Sequence, residues 1–256
     1  MRIQINGNIV TLPTSLREIT LGQRIDFHDQ YGRDFDTMAK GIIEMPDGLD
    51  KELEIAQFQF EKMFAVFAFF TGTTPEALKE SEYVDQIANI YLSSLAVLME
   101  EENYPELQHS FFWKDVTWKL HPTELKQGSM MTFGEFIDSK QMVKDMEELG
   151  QGKWESMLRL AAIFLRKEGE QYDASFLYED SDRLKLMREL PMDIAMQIGF
   201  FLTGCLRSFL TTFPFSSQDV DQKLETTARN TLKGSAGSTS LKASQKQRSS
   251  ISPAVG

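Results

Sequence analysis

The chain has 256 residues, 41% of them hydrophobic and 11% aromatic, with 38 acids against 27 Lys and Arg for a net charge of −11. That length suits one large domain or two small ones and supplies enough apolar residues for a real core. An acidic body repels phosphate backbones, which argues against nucleic-acid binding, and a lone cysteine, Cys205, forbids an intramolecular disulfide and favours a reducing compartment.

Met1-Arg2-Ile3-Gln4 carries no apolar signal core, so no leader is expected. Ile3 and Ile5 alternate with polar neighbours, and Asn6-Gly7 is the preferred two-residue turn before Ile9-Val10-Thr11-Leu12, which predicts a hairpin ended by Pro13. Ser15 and Glu18 are spaced as a capping box for a short turn of helix. A helix from Thr20 is expected to run to about 30 and resume over 34–44, and Pro46-Asp47-Gly48 is a turn. The helix expected over 50–71 starts with a polar face and is apolar on every side from Met63, as a helix surrounded by protein would be. Gly72 closes it, and Thr74 and Pro75 supply the N-cap and first position of the next.

Val84, Ile87, Ala88, Tyr91, Leu95 and Leu98 then share one helical stripe, followed by the acids Glu100-Glu101-Glu102. Val116, Trp118 and Leu120 alternate with Thr117 and Lys119, which predicts a strand near 112–120 pairing with the N-terminal hairpin. Trp154, Met157, Leu158, Ala161 and Leu165 form another helical stripe; 172–182 is a polar connection, 184–190 a short helix, and Pro191 opens a longer one to about 213. The apolar runs 63–70 and 194–210 are too short, or too interrupted by Gln197 and Arg207, to span a bilayer, which takes about 20 residues. From Gly234 the chain has almost no large apolar residue and reads as a disordered tail; residues 231–256 hold four cations and no acid, leaving −15 on the residues before them.

One motif occurs twice: Thr20-Leu21-Gly22-Gln23-Arg24-Ile25-Asp26 and Thr132-Phe133-Gly134-Glu135-Phe136-Ile137-Asp138. Thr-x-x-Gln/Glu is a capping box in which the Thr hydroxyl accepts from the N3 amide and the N3 side chain reaches back to the cap amide. Thr20, Gly22, Gln23, Thr132, Gly134 and Glu135 are therefore assigned as helix caps, with the glycines permitting close approach of another backbone. Met131 and Phe136 occupy the hydrophobic-staple positions of the second copy, Ile19 and Arg24 those of the first. Phe69-Phe70-Thr71-Gly72 is echoed by Phe200-Phe201-Leu202-Thr203-Gly204, so divergent duplication is one explanation of the repeat and coincidence the other.

No catalytic, cofactor-binding or metal-binding residue is assigned: His28, His109 and His121 lack companions at ligand spacing, and no phosphate loop, dinucleotide fingerprint or nucleophile elbow occurs. Met63, Met157, Met187, Met192 and Met196 fall near apolar helix faces, where core filling and a client groove both remain open.

The stretch 9–98 resembles the tail assembly chaperones of tailed bacteriophages. The likeness rests on a short β opening that leads through Leu12-Pro13 into Ile19-Thr20-Leu21, the Phe-rich helix ending in Phe70-Thr71-Gly72-Thr73-Thr74-Pro75-Glu76-Ala77-Leu78, and the amphipathic helix over 83–99. The resemblance implies a non-enzymatic role in the host cytoplasm, binding the tape measure protein while the tail tube assembles. A structural virion subunit, held in a tail or connector by self-association, is the alternative, and an unrecognised enzyme a third.

The fold expected is mainly α, a bundle of two related helical lobes with a small antiparallel sheet. The first lobe would take 1–108 and the second 109–215, sharing a core, with a linker and basic tail over 216–256.

Overall fold

A computed structural model of the chain describes residues 1–5, 8–99, 108–121, 132–148, 153–198 and 201, all within one compact unit, Met1–Ser208. Cys205, the 216–256 tail, Glu100–Glu102, Met131 and the turn Asn6-Gly7 lie outside the described residues, as do most of the Phe200–Gly204 echo and the helix end expected near 213. The described fold is mainly helical with a small amount of antiparallel sheet.

β1 (Arg2–Ile5) and β2 (Asn8–Thr11) pair antiparallel, Ile3 opposite Val10, and the ends of the hairpin are tied by the Met1 ammonium donating to the Leu12 carbonyl at 2.6 Å and the Leu12 N–H to the Met1 carbonyl at 2.7 Å. Leu12 is fully buried, so the hairpin is anchored by its last residue. The turn of 3-10 helix Leu16–Glu18 follows, but Ser15 makes no side-chain cap. Glu18 instead accepts from the Thr14 amide at 2.7 Å, a bond that holds its carboxyl below the usual carboxylate range.

α1 (Leu21–Phe27) and α2 (Arg33–Glu44) are one helix joined by a π turn, His28–Gly32, where the sequence suggested a break. The reason is spacing. Phe27, Tyr31 and Phe35 recur every four residues, and their rings lie 5.4–6.5 Å apart. A regular helix would fan them round its surface, whereas one wide turn keeps them in line. Gly32 leaves room there for the His28 ring, which a Cβ would approach to 2.5 Å and displace.

α3 (Leu49–Thr71) is buried continuously from Met63 to Ala68 and forms the axis of the first core. Gly72 ends it in the left-handed region at φ 68°, and the Thr74 hydroxyl accepts from Ala77 to cap α4 (Pro75–Lys79). α5 (Val84–Ile90) continues through a second π turn, Tyr91–Leu95, into α6 (Ala96–Met99). Here too the buried residues Ile87, Tyr91, Leu95 and Met99 recur every four.

The region expected to be one strand is a hairpin, β3 (Ser110–Trp113) and β4 (Val116–Leu120), turned at Lys114 and Asp115 with φ of 51° and 60°. It does not pair with β1 and β2. Its third strand is β5 (Leu165–Lys167), which lies antiparallel to β4, so the described residues form two separate sheets. Trp118 and Leu120 point inward, and the Trp118 indole N–H donates to the Trp113 carbonyl at 3.1 Å.

α7 (Phe133–Glu148) packs on α8 (Lys153–Phe164), and α8 on α9 (Asp182–Arg188), and residues 192–198 are again helical. Residues 160–165 are buried without interruption, matching the inner half of α3. Met63, Met157, Met187, Met192 and Met196 are all buried, so these thioethers fill the core and line no open groove. None of the described helices is long and apolar enough to cross a membrane.

Candidate functional site

Both capping boxes are formed. Thr20 N–H donates to Gln23 Oε1 at 2.9 Å and Gln23 N–H to Thr20 Oγ1 at 3.1 Å. Thr132 N–H donates to Glu135 Oε2, and Glu135 N–H to Thr132 Oγ1 at 3.3 Å. Their surroundings differ. The first box is stitched to the second half of the chain: Leu21 N–H donates to the Leu190 carbonyl at 2.8 Å and Met192 N–H to the Ile19 carbonyl at 2.9 Å, with Thr20 bridging Pro191. Gly22 lies against the last turn of α9, where a Cβ would come within 2.8 Å of the Arg188 carbonyl oxygen. At Gly134 the neighbour is a side chain, the Tyr172 ring, and a Cβ would sit at 3.5 Å, an ordinary contact. Arg24, in the staple position, lays its guanidinium 4.8 Å from the centre of the Trp154 ring and donates to the Met99 carbonyl at 2.9 Å.

The second box does more than cap. Glu135 is fully buried and ion-paired with Arg166 of β5, itself buried, while His121 Nδ1 stands 3.6 Å from Glu135 Oε1. Sequence spacing left His121 without an acid; the fold supplies one from across 14 residues. Burial, reinforced by Arg183, brings the Arg166 guanidinium down to about 10, still protonated at neutral pH. Burial and then the Arg166 charge push the His121 imidazole below its ordinary value. Tyr172 O–H donates to Asp138, and burial followed by that carboxylate raises the phenol. Arg183 stacks 4.9 Å from the centres of the Trp118 and Phe176 rings and pairs with Glu170 at 3.2 Å. These groups neutralise one another inside the protein, and the cluster reads as a polar lock joining α7, β5 and α9.

His28 reaches Asp36 at 3.7 Å and His109 packs on Phe201, each away from the other histidines' partners. Among the described residues no group of three or more His, Cys, Asp or Glu could hold a metal ion.

An exposed apolar stripe lies on α3. Its outer half, residues 49–60, carries two apolar stripes. Ile55 and Phe58 are half-buried beneath α2, Phe58 meeting Phe35 edge-to-face at 5.7 Å. Leu49, Leu53, Ala56 and Phe60 form the other stripe, roughly 160° round the helix at 3.6 residues per turn. That stripe is open: Leu49 is 71% exposed, Leu53 59% and Phe60 47%. Its spacing of four, three and four residues continues inward to Met63 and Phe67, which are buried, and Phe60 is braced by an edge-to-face contact with Phe64 at 4.7 Å. The outer half of α3 thus extends a core seam, and its stripe is exposed among the described residues.

The seam was written in the sequence as apolar residues at 49, 53, 56 and 60, but the acids and glutamines between them made this half read as polar. The Glu135–Arg166 pair had no local signal at all, since Arg166 is 31 residues further on and reaches Glu135 only through the three-stranded sheet. No protein-family model, curated protein or solved structure matches this chain.

Proposed function

We propose that the chain is a non-enzymatic, helix-binding assembly protein that works in the host cytoplasm during bacteriophage tail assembly, holding a long helical protein of the tape-measure kind until it is built into the tail. The observation that carries the reading is the open stripe Leu49, Leu53, Ala56 and Phe60 on a helix whose opposite face is already occupied by α2. A seam of this kind stabilises by burial, at roughly 25 cal/mol per Å² of apolar surface removed from water. It also matches the i, i+3, i+4, i+7 anchors by which one helix receives another. The phage assignment comes from the likeness of 9–98 to tail assembly chaperones. The acidic exterior, −15 before residue 231, would keep a complex with an apolar client in solution.

Co-expression with a tape-measure-like helical protein tests this. The native chain should keep the client soluble, and the double substitution Leu53→Glu, Phe60→Glu should send it to the pellet while the chain itself stays folded, because both positions are exposed. Equal client solubility with both chains would overturn the proposal. Mass spectrometry of purified particles separates the alternative: a chaperone is absent from them, and stoichiometric presence would identify a virion subunit instead.

A further inference from the structure

We infer that in the free protein the open stripe of α3 lies against the same stripe of a second copy, the two helices antiparallel across a two-fold axis, and that a client helix takes that copy's place; the client half rests on the helix-binding reading above. Length sets the first condition. The stripe is open from Leu49, where α3 begins, to Phe60, and Met63 then carries it into the core, so the open run is twelve residues or about 18 Å. A copy turned end for end fits that run. The partner's Leu49, the first residue of its helix, comes beside Phe60, and the turn before it leads back to its own α2, away from the seam.

The side chains then match in pairs. Spacing of four, three and four puts Leu53 and Phe60 in one of the two coiled-coil seam positions and Leu49 and Ala56 in the other, and antiparallel helices set each position against the other. Leu49 therefore meets the partner's Phe60, and Leu53 the partner's Ala56. Helices crossing at about 20° approach most closely at the middle of their contact and part toward its ends. The small Ala56 falls at the middle and the large Phe60 at the ends. Parallel copies would instead stack Phe60 on the partner's Phe60 and Ala56 on the partner's Ala56, a crowded layer beside a hollow one.

Charge agrees with that direction. The charged residues of 49–60 are Asp50, Lys51, Glu52 and Glu54, all in the first half, and 55–60 has none. Antiparallel copies lay each acidic half along an uncharged one and set the helix dipoles head to tail. On the flanks Asp50 comes beside the partner's Gln57 and Glu52 beside the partner's Gln59, so acid meets amide whatever bonds these side chains make within their own chain. The contact is small. Four apolar residues a side with their flanks stay under the roughly 1,200 Å² total at which specific interfaces begin, so the dimer is weak, with a Kd on the order of 100 µM, and dilution or a client helix opens it.

Sedimentation velocity of the full chain from about 5 to about 500 µM brackets that Kd and tests the inference. The native chain should pass from monomer toward dimer over the range, and Leu53→Glu should stay monomeric with an unfolding midpoint unchanged from the native chain. Gln57→Glu with Gln59→Glu, which puts acids beside the partner's Asp50 and Glu52, should weaken the dimer at least about tenfold. Direction is read by oxidation in chains carrying Cys205→Ser. Asp50→Cys mixed with Gln57→Cys should form a mixed disulfide faster than Asp50→Cys alone, because two residues 50 stand about 14 Å apart along antiparallel axes. A helical peptide of about 18 residues with a Leu seam should return the dimer to monomers carrying peptide. A chain monomeric throughout, a dimer that Leu53→Glu leaves intact, or Asp50→Cys chains that cross-link with each other as fast as with Gln57→Cys would overturn the antiparallel dimer. The helix-binding function would survive any of these, being judged by client solubility on co-expression. A dimer that takes up the peptide without dissociating would place the client elsewhere and overturn the exchange.

Discussion

Gly22 and Gly134 hold the same place in the two motif copies, yet they face different neighbours, and that difference is measurable. Gly22→Ala drives a methyl against the Arg188 carbonyl, a backbone atom that cannot step aside, and should destabilise by about 1–3 kcal/mol in urea unfolding. Gly134→Ala meets only the Tyr172 ring at contact distance and should be neutral or gain up to about 1 kcal/mol from helix propensity. A parallel contrast holds for the caps. Thr132→Ala should cost about 1 kcal/mol. Glu135→Gln retains a side chain that can cap, as Gln23 does, but strands Arg166 as a buried unpaired cation, and should cost about 3–5 kcal/mol. Glu135→Gln no worse than Thr132→Ala would show that the ion pair is dispensable. His121 adds a pH dependence. Its folded pKa lies below the unfolded value of about 6.5, so the unfolded chain takes up protons first. Stability is therefore complete above pH 6.5 and falls as pH drops through that value. His121→Asn should flatten unfolding free energy between pH 7 and about 5, above the range where Glu18, Glu168 and Asp173, all lowered, begin to titrate.

At the scale of elements, helices were the legible part because their signals are local. Thr20 and Thr74 cap where the spacing predicts, and the apolar stretch from Met63 is the axis of the first core. The π turns were not legible as such: Phe27, Tyr31 and Phe35 every four residues, with Gly32 among them, look like a helix interrupted, and only packing shows the turn widening to hold three rings in line. Strand pairing failed for a different reason. Leu165-Arg166-Lys167 directly continues an apolar helix and carries no alternation from which to read a strand, so the partner of β4 could be found only in three dimensions. The second π turn yields a prediction. Ile87, Tyr91, Leu95 and Met99 span three turns with one residue more than a regular helix needs. Deleting the exposed Ser93 should convert the wide turn to regular helix and keep the buried face, whereas inserting an alanine after Ser93 rotates Leu95 and Met99 outward by roughly 100°. Thermal unfolding followed by circular dichroism should show the insertion losing far more stability than the deletion; the reverse order would mean that the π turn is not what aligns the face.

Across the whole molecule, the doubled motif and the open seam divide the work. The first capping box ties residues 19–21 to 190–192 and the second locks α7 to β5, so both copies of the repeat join parts of the chain. The outer half of α3, held from behind by α2 and at its base by Phe64, is the apolar stripe on which the proposed helix binding rests. The decisive measurement is hydrogen–deuterium exchange of the full chain with and without a bound amphipathic helix carrying a Leu seam. New amide protection should concentrate in residues 49–60 of α3, with none in that segment for the Leu53→Glu chain. Protection that leaves 49–60 unchanged and appears elsewhere would contradict it.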